Sequence, residues 1–127
     1  MKKSKVKIEP ATMAHAKEFY GDRYTKSFKG YVALIDDTVV GIGGLSFEHE
    51  TMMLFSDMKE ELRPFKRDIV KSMHTLKDMV DKTNYPIVAV ADKREALSEK
   101  ILGRLGFAPS GRFVSDGSKI FWRFPNG

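Results

Sequence analysis

At 127 residues, 42% of them hydrophobic and 31% charged, the chain is expected to be one globular domain over residues 1–127, and the balance argues against a disordered segment. It has no cysteine, which excludes disulfides, thiolate zinc sites and a cysteine nucleophile, and three scattered histidines (His15, His49, His74) speak against a metal centre. No apolar run reaches the ~20 residues of a membrane span and no apolar signal core follows the basic start, so the expected place is the cytoplasm; the net charge of +5 suits an anionic partner or a merely lysine-rich surface equally well.

Lys5 to Glu9 alternates charged and apolar residues, as a half-buried strand does, and Pro10 ends it. Thr12 can cap a helix over Met13 to Tyr20, which Gly21 and Asp22 break. Arg23 to Lys29 fits a second short helix no better than a loop. Tyr31 to Ile35 and Val39 to Phe47 form a hairpin around Asp36-Asp37-Thr38. Gly41, Gly43 and Gly44 in the return strand predict a bulge or a close approach of backbones. Thr51 to Phe55 is a third apolar strand.

Pro64 opens a helix whose apolar face is Phe65, Ile69, Met73, Leu76 and Val80; Asn84-Tyr85-Pro86 ends it. Ile87 to Ala91 lacks polar alternation and is expected to be a strand covered on both faces. Glu95 to Arg104 is a helix with Leu97, Ile101 and Leu105 at four-residue steps, stopped by Gly106. Arg112 to Val114 and Lys119 to Phe124 form a last hairpin around Asp116-Gly117-Ser118. Strand, long helix and apolar strand in the middle predict a right-handed parallel crossover.

This order of parts, with Ile8-Glu9-Pro10-Ala11-Thr12 at the start, Val39-Val40-Gly41-Ile42-Gly43 in the hairpin and Leu105-Gly106-Phe107 after the last helix, resembles the GNAT (Gcn5-related N-acetyltransferase) superfamily over nearly the whole chain. Ile42-Gly43-Gly44, Ser56-Asp57, Lys66-Arg67 and Phe113 to Phe124 also resemble small GNAT-like proteins encoded by tailed bacteriophages, which would place the chain in a host cytoplasm or a virion. The resemblance implies an α/β (α+β) fold: a mixed, mostly antiparallel sheet of six to seven strands flanked by three to four helices. It further implies acetyl-CoA (coenzyme A) as cofactor and direct transfer to a primary amine acceptor; it leaves the oligomeric state open between a monomer and a homodimer, many relatives dimerising through the C-terminal strands.

Two departures from the family pattern stand out. The glycines that normally bare backbone N–H groups for the cofactor pyrophosphate are absent from Leu62-Arg63-Pro64-Phe65-Lys66-Arg67-Asp68. The resemblance assigns the diphosphate to Arg63, Phe65, Lys66, Arg67 and Asp68; a solvated basic helix cap explains the same residues equally well. The tyrosine that protonates the leaving thiolate in many members is here Leu102. A backbone N–H of Leu54 or Phe55 is expected to polarise the thioester oxygen. Asp57, with Glu50 near it, is the candidate general base; a helix- or turn-capping role is the competing explanation for Asp57. The alternatives to an enzyme are a GNAT-shaped binding or structural protein without catalysis and, more weakly, a nucleic-acid binder using Lys66, Arg67, Lys71, Lys93, Arg94, Arg104 and Arg112.

Overall fold

A computed structural model describes residues 5–24, 26–48, 51–93 and 98–125. The elements run β1 (Val6–Pro10), α1 (Met13–Tyr20), β2 (Phe28–Ile35), β3 (Thr38–Glu48), β4 (Thr51–Met58), a 3₁₀ turn (Glu60–Leu62), α2 (Lys66–Asp81), β5 (Ile87–Ala91), α3 (Ser98–Arg104), β6 (Ala108–Phe113) and β7 (Lys119–Arg123). They build one seven-stranded sheet in the order β1-β2-β3-β4-β5-β7-β6. All strand pairs are antiparallel except β4 with β5, which is parallel and bridged by α2.

Local chemistry explains most boundaries. The Thr12 hydroxyl accepts from the His15 N–H, and His15 Nδ1 accepts in return from the Thr12 N–H, a reciprocal cap that starts α1. Asp36 and Asp37 both take positive φ between the paired residues Ile35 and Thr38, the pattern of a two-residue type I′ hairpin. Gly106, at φ 89°, ends α3 with two back-bonds, Phe107 N–H to Leu102 O and Gly106 N–H to Gly103 O.

Alternation divides the sheet into two faces. On one, α1 sets Ala16 against Val32, Leu34, Val39 and Ile42. On the other, α2 and α3 cover Leu45, Leu54, Ile87, Ala89, Ala91 and Phe121 with Val80, Leu102 and Leu105, while Phe65 and Ile69 pack on Ala33, Val40 and Leu62. The bulge falls in β3, where Ala33 faces Gly41 and Leu34 already faces Val39, leaving Val40 unpaired. Further along, Gly30 pairs with Gly44, and the two backbones come close enough that a β-carbon on either would overlap the other strand.

Four expectations need correction. Residues 23–29 hold no second helix among the described residues: β2 already begins at Phe28. Pro64 lies in the turn before α2, and Phe65 is the N-cap, so the helix starts at Lys66; the 3₁₀ turn with buried Leu62 uses the intervening chain. At the other end the helix stops at Asp81, ahead of Asn84. β5 is not covered on both faces, because α2 and α3 share one side of the sheet and Val90, pointing to the other, is 38% exposed. Leu97 and the Glu95 start of the last helix lie outside the described residues.

Candidate active site

The parallel strands β4 and β5 are joined only at their beginnings. Met52 faces Ile87 and Met53 faces Val88; beyond these, Leu54–Met58 and Ala89–Ala91 are not paired with each other. A gap therefore opens at the C-terminal end of both strands. The start of α2 belongs to the same end, because the helix that follows a strand in a parallel crossover begins where that strand finishes.

Leu54 and Phe55 form the β4 side of the gap. Leu54 is buried toward α2 and α3, whereas the Phe55 ring lies on the α1 face, edge-on to Phe28 at 5.7 Å. Both are registered against β3, opposite Leu45 and Gly44. Successive N–H groups of a strand point to opposite neighbours, so one of the two aims at β3 and the other into the gap.

At the mouth of α2, the N-cap Phe65 offers no side-chain acceptor to the first helical amides. Lys66 and Arg67 are exposed, and Asp68 is the acidic residue of the first turn. Arg63 is exposed and its Nε donates to Glu60 at 3.1 Å. The Phe65 side chain packs on the cluster of Ala33, Val40 and Leu62, so its contribution here is the backbone. Arg63, Lys66, Arg67 and Asp68 are thus gathered at one end of the gap, with Leu54 and Phe55 along its side.

Asp57 stands in the part of β4 that is not paired with β5, opposite Ile42 of β3, and is exposed. Its carboxylate Oδ2 accepts from the hydroxyl of Tyr20, the last residue of α1. This corrects the turn-cap explanation: Asp57 lies within a strand and its bond goes to a side chain 37 residues earlier. The Tyr20 hydroxyl is pushed well above the ordinary tyrosine range, first by partial burial, then by its bond to Asp57 and the carboxylate charge. Glu50 and His49 lie outside the described residues, as does Arg94. Leu102 is buried in the core and bears no acid.

Tyr20 escaped the sequence reading. It ends the first helix, remote in the chain from every motif considered, and only the packing of α1 on β3 brings it to β4. Its one available signal was an exposed-looking tyrosine at a helix end, beside Gly21.

Two cavities are lined by described residues. One of about 40 Å³ lies under α2, lined by Gly41, Gly43, Ser56, Leu62, Ser72 and Leu76 among others. A groove of about 400 Å³ lies at the opposite end of the sheet, between Phe28, Phe47, Met52 and Met79. No helix among the described residues is long and apolar enough to cross a membrane.

The sequence matches no family model and no curated protein. Solved structures are similar to it in fold. An acetyltransferase of the GNAT family from Streptococcus pneumoniae superposes with a TM-score of 0.62 at 10% identity, over 96% of this chain and 100% of that one. The PaiA N-acetyltransferase from Thermoplasma acidophilum, in complex with coenzyme A, gives 0.58 at 12% identity, over 94% and 99%. The ribosomal-protein-S18-alanine N-acetyltransferase from Escherichia coli gives 0.57 at 10% identity, over 97% of each chain. The chain has the fold of the GNAT acetyltransferases.

Proposed function

We propose that this protein is an N-acetyltransferase that moves an acetyl group from acetyl-CoA directly to a primary amine. The observation that carries the reading is the opening of the one parallel strand pair among the described residues, ahead of a helix whose N-cap Phe65 offers no side-chain acceptor. A diphosphate suits that helix mouth: the free N–H groups of Lys66 to Asp68, the positive end of the helix and the exposed Lys66 and Arg67 all favour an anion. Arg63 is placed to add charge.

Acetyl-CoA supplies an activated thioester, and the chain's residues position it. An N–H of Leu54 or Phe55 facing the gap polarises the thioester oxygen. Asp57 takes the proton of the amine, with Glu50 as the second candidate. Holding amine and thioester together accounts for most of the acceleration, since no covalent enzyme intermediate is needed.

Calorimetric titration with acetyl-CoA at moderate salt tests the reading, beside the double variant Lys66→Glu/Arg67→Glu. Micromolar binding that weakens in the variant by about 10- to 100-fold, as charge-assisted hydrogen bonds require, is the expected result. Absence of binding up to millimolar cofactor would refute it.

One observation favours the second reading, a GNAT-shaped interaction protein without catalysis. Where the resemblance places an acid, Leu102 is 7% exposed in the core. Transfer remains open to this chain, because water can serve as the acid that protonates the thiolate. The same titration separates the two readings.

A further inference from the structure

We propose that Tyr20 is the positioning residue of this site: its hydroxyl holds the Asp57 carboxylate in the orientation from which it deprotonates the amine. The inference rests on the acetyl-transfer reading above. A carboxylate on an exposed strand residue is otherwise free to rotate, and a base acts only when held within hydrogen-bond reach of the proton it takes.

Tyr20 is itself held from two sides. Phe19 meets it edge-on at 4.9 Å and Tyr24 stacks on it at 5.1 Å with 15° between the rings. The row continues through Tyr24 to Phe28 at 5.8 Å and from Phe28 to Phe55 at 5.7 Å. Phe55 lies on β4 two residues before Asp57. The aromatic row thus runs from the hydroxyl that donates to the strand that carries the acceptor, fixing both ends of the bond. Lys59 faces the other side of this group, 5.5 Å over the Phe19 ring. Among the described residues the Asp57 carboxylate accepts from Tyr20 alone, and the bond engages only Oδ2. The second oxygen remains for the amine. Tyr20 stays protonated at neutral pH, raised by burial and by Asp57, so it is a donor throughout the working range.

The step balances as follows. An ammonium acceptor gives one proton to Asp57. Its nitrogen lone pair forms the C–N bond to the acetyl carbon, and the C–S bond breaks with its electron pair on sulfur. The second nitrogen proton reaches the sulfur through water, and Asp57 returns its proton to solvent.

The test uses Tyr20→Phe, which keeps the ring and removes the hydroxyl, with Asp57→Asn and the double variant. The first measurement needs no turnover: phenolate absorbance is followed through an alkaline titration of the four tyrosines. One of the four is expected to lag in the wild type and to ionise at lower pH in Asp57→Asn. An unchanged curve means that the pair does not form and overturns the inference whatever the activity. The second measurement is kcat and the KM for acetyl-CoA across a panel of primary amines. Tyr20→Phe is expected to lower kcat by about 10- to 100-fold, the scale of a misplaced reacting group, with KM for acetyl-CoA unchanged. The double variant should be no slower than Asp57→Asn alone, because Tyr20 acts through Asp57. Unchanged kcat in Tyr20→Phe, or losses that simply add, overturn the positioning role while leaving acetyl transfer intact. A wild type that acetylates no amine overturns both, and the titration then shows whether the pair survives as a tie between α1 and β4.

Discussion

Replacing Gly44 by alanine adds one carbon where two strands already touch. The new β-carbon would overlap the carbonyl oxygen of Lys29 and stand 2.6 Å from the Gly30 Cα, against backbone that cannot rotate away. Either β2 must move or the Gly30–Gly44 bridge must open. Overpacking of this kind costs about 1–3 kcal/mol, and loss of a ladder hydrogen bond adds about 1 kcal/mol, so a total of about 2–4 kcal/mol is expected. For 127 residues the unfolding entropy is about 0.27 kcal/mol/K, which converts this loss into a fall in Tm of about 7–15 °C. Gly103→Ala is the control with the same added methyl. Gly103 lies exposed in α3 and a β-carbon there meets nothing within 4 Å, so it should gain about 0.5–1 kcal/mol in helix propensity, or roughly 2–4 °C. Thermal unfolding followed by circular dichroism measures both. If Gly44→Ala melted within a degree of wild type, or if the two variants shifted in the same direction, the close approach of β2 and β3 would not be what the glycine is for.

Two more perturbations probe other parts of the frame. The folded pKa of Tyr20 is raised, so below the unfolded value of about 10 both states are protonated and its contribution is complete. Above that pH the unfolded chain ionises first and the contribution fades. Urea unfolding should therefore show Tyr20→Phe weaker than wild type near pH 8, with the difference shrinking above pH ~10; parallel curves would contradict this. Arg123 donates to the Val80 carbonyl at 2.8 Å and to Asp81 at 2.6 Å, tying β7 to the end of α2. Arg123→Met keeps the apolar stem and should lose about 1–2 kcal/mol in urea unfolding; no loss would mean that packing alone holds that corner.

How much of this was legible in the chain depended on how local the cause was. Thr12, the Asp36-Asp37 turn and Gly106 each act on neighbours within a few residues, and each did in the structure what its chemistry suggests. Pro64 misled because proline serves a turn before a helix as readily as the first turn within it. β5 misled for a different reason: a continuous apolar run records hydrophobicity but not which side the helices take, and both chose one side. The gap between β4 and β5 could be anticipated only through the family resemblance, because register between parallel strands has no local signature. The Tyr20–Asp57 pair was illegible, since nothing in either segment refers to the other.

The sheet's two margins bear on how copies of the chain can meet. The β1 margin is five residues long and ends in Pro10, which has no N–H to offer. The β6 margin loses register between Pro109 and Phe113, with Gly111 at φ 82° and the Ser110 hydroxyl turned onto the Ile120 carbonyl. Neither presents an uninterrupted row of donors and acceptors, so both margins are poor templates for a strand added by a second molecule. The same irregularities work against templated aggregation of a chain rich in β-structure.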